Sequence, residues 1–465
     1  MAEVSARKRI WGWMMFDWAS QPYATLLLTF IFGPYFARIV SARFQTEGLT
    51  PDLANAQAQS LWSLGLTVAG LIIAFSAPIL GAMADVAGRR MPWIWFFSAV
   101  YVAGAGALWW AYPDGSTYGW MLVAFGVGFI GMEFATIFTN SILPELGDGN
   151  EVGGISGNGF SVGYLGGVIA LAVMLLLFED GAGQTLIGLQ PPFGLDSAQN
   201  EGTRFVGPFV ALWYIVFMVF FFAWVRESRR APVIGQDTVR AALRSLGGTL
   251  RSLPKRVSLA SYLGSSLFYR DALNGLYGFG GVYATLVLDW SIIQIGVFGV
   301  AGAVSAAVFS WVGGRADRRF GPKPVIVACI LILIAVCGVI VGMSRAALFG
   351  FPLAEGSSLP DILFYICGAT IGAAGGALQA SSRTMMVRHA DPRWATEAFG
   401  LYALSGKATA FLAPALIFLA TWATGSPRLG ISPLIGLFLA GLILLAWVKP
   451  DGDQTRWSEP SPASA

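Results

Sequence analysis

Gly81-Ala82-Met83-Ala84-Asp85-Val86-Ala87-Gly88-Arg89-Arg90 and Gly313-Gly314-Arg315-Ala316-Asp317-Arg318-Arg319-Phe320-Gly321-Pro322-Lys323 are the two stretches on which the fold turns. In both, a glycine precedes an aspartate by four residues, and a second glycine with basic residues follows. Each closes a long apolar run, the first at 60–84 and the second at 291–314. A charged motif that returns at a matching place marks a duplicated chain. A second pair agrees: Asp17 stands six residues before Tyr23, and Asp271 six before Tyr277. The copies differ in one respect, an extra residue between Asp317 and Gly321.

The runs around these motifs set the solvent. Of 465 residues, 55% are hydrophobic and 12% charged, and the mean hydropathy is +0.65. Soluble domains carry roughly 25% charged residues, so this composition belongs in lipid. A spanning helix needs about 20 mostly apolar residues, and twelve such stretches occur: 11–38, 60–84, 91–112, 118–142, 155–178, 207–225, 258–288, 291–314, 324–344, 360–382, 396–423 and 430–448. The short basic N-terminus leads into the first with no small-residue cleavage site, which reads as a retained span rather than a signal peptide.

Sorting Lys and Arg by loop orients the chain, because positive loops stay inside. With the N-terminus in the cytoplasm, inner segments hold 22, outer segments 5 and the spans 2. Both termini are therefore expected to be cytoplasmic, in the inner membrane if the cell is bacterial. The net charge of +3 is too small and dispersed to indicate a nucleic-acid partner. Cys329, Cys337 and Cys367 lie in apolar runs and His389 is the lone histidine, so neither a zinc site, a disulfide framework nor a cofactor is expected.

These observations predict an all-α membrane protein of twelve transmembrane helices in two pseudo-symmetric six-helix bundles, over 1–225 and 258–448. Residues 226–257 form the cytoplasmic linker, where Val239, Leu243, Leu246, Leu250 and Leu253 recur at the spacing of a surface helix. The tail, 449–465, is rich in Pro, Ser, Asp and Ala and reads as disordered.

The paired loop motif resembles the signature between helices two and three of the major facilitator superfamily. Further segments are similar to its UMF1 group, related to the vacuolar amino-acid effluxer Atg22: Phe16 to Ser20, Asn140 to Glu145, Gly163 to Gly167, Gln379 to Arg383, and Glu397 to Tyr402 through Lys407. The resemblance covers nearly the whole membrane domain. It implies two bundles with alternating access, a cavity lined by spans one, four and seven, and amino acids or similar zwitterions as cargo.

Charge is costly within a bilayer and faces a cavity or a partner. Five groups lie well inside spans: Asp17, Glu133, Arg270, Asp271 and Lys407. Asp17 shares a face with Ser20, Gln21 and Thr25, a polar stripe expected to meet water. Glu133 aligns with Thr136 and Asn140, and Arg270 with Asn274. Arg270 and Asp271 point about 100° apart and must find partners on other helices. Lys407 stands among Gly400, Ala403, Phe411 and Pro414, whose small members leave it room. The expected division of labour gives an anionic substrate group to Lys407 and Arg270, and a cationic group or a proton to Glu133, Asp17 or both. The competing reading makes each charge half of a fixed ion pair or interhelical hydrogen bond.

The loop motif reads as a conformational lock. Asp85 can accept hydrogen bonds from a neighbouring helix N-terminus, Arg89 and Arg90 hold the cytoplasmic side, and Asp317 and Arg318 are weaker counterparts. The plainer alternative is that these bases only satisfy topology. Gly159-Phe160-Ser161-Val162-Gly163 and Gly126-Val127-Gly128-Phe129-Ile130-Gly131 mimic a hydrolase elbow and a dinucleotide loop, but neither follows a strand. Both read as helix packing. The function expected is secondary transport of small solutes by a monomer surrounded by lipid, not enzymatic catalysis. The alternatives are a non-transporting membrane sensor and a lipid-translocating transporter.

Overall fold

With no water in hydrocarbon, a spanning backbone must satisfy its own N–H and C=O groups, and helices do so within one segment. The structure, a computed structural model, describes residues 4–147, 151–178, 185, 187–188, 191–227, 244, 246–249, 251–288, 290, 292–407, 411–424 and 426–453. Most of the linker and the tail beyond 453 lie outside the described residues. So does all but a fragment of the surface helix expected there.

In the first half the spans are α1 (Ala6–Thr46), α2 (Pro51–Ala87), α3 (Met91–Gly106), α4 (Tyr118–Asn140), α5 (Val152–Leu177) and α6 (Val206–Trp224). In the second they are α7 (Val257–Leu288), α8 (Ile292–Phe320), α9 (Pro322–Gly342), α10 (Leu359–His389), the pair α11 (Ala395–Lys407) and α12 (Leu412–Thr424), and α13 (Pro433–Leu445). Ten helices among the described residues are long and apolar enough to cross a membrane. Helix α7 and the α11–α12 pair supply the remaining two crossings. A two-stranded hairpin, β1 (Ala347–Leu348) against β2 (Phe351–Pro352), joins α9 to α10 with Leu348 opposite Phe351. Large apolar side chains point outward, Phe75 at 71% exposure and Trp422 at 78%. That arrangement is stable only in lipid, and the chain is an integral, multi-pass membrane protein.

Contacts divide the chain into two units. The first comprises Met1–Ser76, Gly88–Thr139 and Val162–Ala231. Its core is aromatic: Tyr101 stacks on Tyr214 at 4.0 Å, and Phe125 lies among Tyr23, Phe32 and Trp62.

The second unit comprises Ala77–Ala87, Asn140–Ser161 and Pro232–Ala465. Helices α8 and α10 pack closely here; a Cβ on Gly372 would stand 2.0 Å from the Gly302 carbonyl oxygen. The last turns of α2 and the start of α5 group with these helices, because they cross α11 and α8 backbone to backbone. The beginning of the tail, Lys449 to Asp453, is held in place. Arg256 pairs with Asp453 at 2.7 Å, the Asp453 N–H donates to the Arg388 carbonyl (2.9 Å), and the Lys449 N–H donates to Ser258 Oγ (2.9 Å).

Candidate functional site

Proline in a helix interior removes one N–H and frees the carbonyl four residues back. In α1 this happens at Pro22. The freed Trp18 carbonyl accepts from Trp213 Nε1 at 3.2 Å, and the helix widens into a π-helical segment, Tyr23–Phe30. Tyr23 is fully buried there, donating to the Phe125 carbonyl at 2.6 Å.

The polar stripe beside this break does not simply face water. A Cβ on Gly163 of α5 would stand 3.2 Å from Asp17 Cβ, and one on Gly167 would stand 2.5 Å from Thr25 Oγ1 and 2.9 Å from Gln21 Cγ. Asp17, Gln21 and Thr25 are therefore half-buried against the glycines of α5. Glu133 is also half-buried on α4, while the Thr136 hydroxyl turns back to the Met132 carbonyl at 2.8 Å.

In the second unit, Arg270 and Asp271 lie midway along α7 and point apart. Arg270 Nη1 donates to the Tyr402 carbonyl at 2.9 Å, and its guanidinium lies 4.2 Å from the Tyr402 ring centre. A Cβ on Gly406 would meet the guanidinium carbon at 2.4 Å, so the guanidinium rests directly against this glycine. Asp271, 1% exposed, accepts at Oδ2 from the Ala413 N–H (2.8 Å), and its Oδ1 has no partner among the described residues. Tyr402 is in α11 and Ala413 in α12. The consecutive charges of one helix thus reach both α11 and α12; residues 408–410 between them lie outside the described residues. Lys407 ends α11, and its side chain lies outside the described residues. Asn274 is exposed.

The loop motifs meet their partners within the same unit. Asp85 Oδ2 accepts from the Glu397 N–H at 2.8 Å, in the first turn of α11. A Cβ on Gly81 would stand 2.6 Å from the Thr396 carbonyl oxygen, and one on Gly400 equally close to that of Ala77. Trp394 packs on Ala82 and Val86. In the second copy, Asp317 Oδ1 accepts from the Ser381 hydroxyl of α10 at 2.7 Å. A Cβ on Gly157 would stand 2.5 Å from the Ser310 carbonyl oxygen and 2.6 Å from Gly314 Cα, and one on Gly153 would stand 2.5 Å from Asp317 Cβ. The turns after both aspartates use glycine at positive φ, +66° at Gly88 and +82° at Gly321.

The bases of the motif divide. Arg89 and Arg318 are exposed, whereas Arg90 is buried, and Glu227 takes the backbone N–H groups of Arg90 (2.5 Å) and Met91 (3.1 Å).

Arg383, which sequence reasoning placed just beyond a helix end, lies inside α10 and is 3% exposed. It donates from Nη1 to Asn140 Oδ1 at 3.2 Å and stacks 3.9 Å above the Phe160 ring. Asn140 therefore faces an arginine at the motif end rather than standing in line with Glu133 in a solvated stripe. The Ser156 hydroxyl donates to the Ala380 carbonyl (2.9 Å) and that of Thr396 to Ser141 Oγ (3.1 Å), completing this layer.

Residues 5–454 match the family model described as vacuole effluxer Atg22 like. The chain belongs to that family. The uncharacterized MFS-type transporter YxiO of Bacillus subtilis is 26% identical over 446 residues, 95% of this chain and 94% of that one. Autophagy-related protein 22-2 of Emericella nidulans is 24% identical over 63% of this chain, which spans 49% of that longer protein. Among solved structures, the human organic anion transporter MFSD10 superposes with a TM-score of 0.69 at 15% identity, covering 95% of this chain and 100% of that one. The proton:xylose symporter XylE gives 0.69 at 11% identity, covering 97% and 99%. This Atg22-like chain therefore has the twelve-helix major facilitator fold, and it is a secondary transporter rather than an enzyme.

The residues that sequence reasoning missed were quoted but not weighed. Arg383 and Tyr402 both sit in segments that carried the family resemblance. The signal available for Arg383 was its place four residues after Gln379 on a polar helix face.

Proposed function

We propose that this transporter moves small zwitterions, amino acids foremost, by alternating access, and that α7 with the eleventh span, α11 and α12, handles the cargo. The observation that carries this reading is the grip of Arg270 and Asp271 on α11 and α12. Ionisable side chains inside spanning segments mark substrate and ion pathways. A carboxylate reaching Arg270 would replace the Tyr402 carbonyl and strengthen the hydrogen bond, since charge-assisted bonds are about twice as strong as neutral ones. Cargo binding would then loosen the hold on α11. Lys407, at the end of that helix, would share the anionic group, and Asp17, Gln21 and Glu133 would meet a cationic group or a proton. An organic-anion transporter and a proton symporter among the structural neighbours are in keeping with both halves of this assignment.

The layer of Asp85, Asn140, Asp317 and Arg383 would then form the gate at the cytoplasmic side, with both termini there and the chain in the inner membrane of a bacterium. Liposome uptake of labelled amino acids, dipeptides, sugars and nucleosides at two pH gradients tests the reading. Amino-acid flux is expected, and Arg270→Gln should lower it by about tenfold or more, the effect of losing one charged contact, with protein abundance intact. Full uptake in Arg270→Gln, Lys407→Ala and Glu133→Gln would overturn the site. Ligand binding without flux of any cargo would make the protein a sensor.

A further inference from the structure

Away from these charges, the start of α1 and the end of α6 enclose an open groove of about 510 Å³ lined by Ser5, Arg7, Lys8, Trp11, Met15, Phe220 and Trp224. It exists because α6 approaches α1 at Gly12, where a Cβ would stand 3.0 Å from Trp224 Cβ, while Phe220 and Trp224 pair at 5.2 Å beside it. The floor is aromatic and apolar. Arg7 and Lys8 are exposed at the mouth, and no carboxylate is among the described lining residues. The nearby acid, Glu227, is already committed to the Arg90 and Met91 amides, and Arg9 donates to the Arg226 carbonyl at 3.1 Å. From Ser5 to Met15 a helix rises about 15 Å, the depth of one leaflet of a roughly 30 Å hydrocarbon core.

We propose that this groove binds one anionic phospholipid, its phosphodiester between Arg7 and Lys8 and an acyl chain along Trp11, Met15, Phe220 and Trp224. The charge of the mouth selects the headgroup, and basic pockets between helices at this level suit anionic lipids. The depth and dryness of the floor select a lipid over a free anion, which would use only the mouth. Trp11 and Trp224 sit where indoles favour the boundary between headgroup and hydrocarbon. The groove shares no lining residue with the proposed cargo charges.

Native mass spectrometry of the purified full chain, titrated with phosphatidylglycerol or with phosphatidylcholine of the same acyl chains, tests this. Phosphatidylglycerol should bind in preference and weaken with added salt. Arg7→Ala with Lys8→Ala should weaken it about thirtyfold, the expectation for two bases at a membrane surface, and leave phosphatidylcholine unchanged. Trp11→Ala should weaken both lipids. The pair Arg251→Ala with Lys255→Ala, which removes equal charge from the linker, should change neither.

Equal losses in the two double variants would reduce the effect to bulk surface charge and overturn the proposal. Displacement of the lipid by an equal concentration of inorganic phosphate would overturn it too, as a free-anion site. If the Arg7 and Lys8 variant fails to fold, the unmodified chain still decides: lipid binding that is indifferent to salt and to headgroup charge sinks the idea.

Discussion

The two copies of the loop motif start from nearly the same letters and hold the fold in different ways. Asp85 reaches a backbone amide in the first turn of α11, so its hold depends on helix geometry and tolerates any side chain at Glu397. Asp317 reaches the Ser381 hydroxyl on α10 instead, although it lies against Gly153 at the start of α5. What the copies share is the crossing beneath, where glycines let backbones touch at α2 with α11 and at α5 with α8. Close approach is thus common to both, while the aspartate contact has diverged, alongside the extra residue before Gly321.

The shared crossing should be the most sensitive place to break. Gly157→Val drives a side chain into two backbone segments and should cost about 3 kcal/mol, the upper range for overpacking, read as a lowered melting temperature in detergent. Gly81→Val should cost the same. A harmless change at either site would show that only one crossing bears the load.

Removing the first aspartate comes next. Asp85→Ala leaves the Glu397 amide without its acceptor, worth about 1.5–3 kcal/mol for a bond to a charged group. In a background without Cys329, Cys337 and Cys367, a cysteine placed at Val86, buried beneath Trp394, should then react with alkylating reagent on the order of tenfold faster. An unchanged rate would mean Asp85 does not hold this end.

Ser381→Ala sharpens the contrast, since it removes the hydroxyl that donates to the buried Asp317 Oδ1. It should destabilise by about 1–3 kcal/mol, the cost of a stranded buried polar group, and Asp317→Asn combined with it should recover part of the loss. Arg89→Ala and Arg318→Ala, both at exposed positions, should stay within about 0.5 kcal/mol of the parent. A large fall in transport from either would restore the exposed bases to the gate.

Sequence sufficed where one residue's chemistry determines its partner. The aspartate after α2 could be matched to a helix N-terminus, because an anion at that distance from a glycine crossing has few other acceptable neighbours. It did not suffice where the partner comes from a distant segment. Arg383 falls one residue past the span read over 360–382, yet its long side chain stays within the protein on the Phe160 ring and Asn140. In α1 the signal was present: Pro22 had to free the Trp18 carbonyl, but nothing nearby in sequence pointed to Trp213 as the group that would take it.

The clasp between Arg256 and Asp453 has a consequence for engineering. Arg256 immediately precedes α7 and Asp453 lies shortly after α13, so the two ends of this set of six crossings meet. Neighbouring ends are the layout that tolerates circular permutation. Cutting the chain inside the linker and supplying the pieces from two messages should therefore still give a working carrier. Rejoining residue 453 to residue 256 through a short glycine-serine bridge would let the second piece be opened elsewhere.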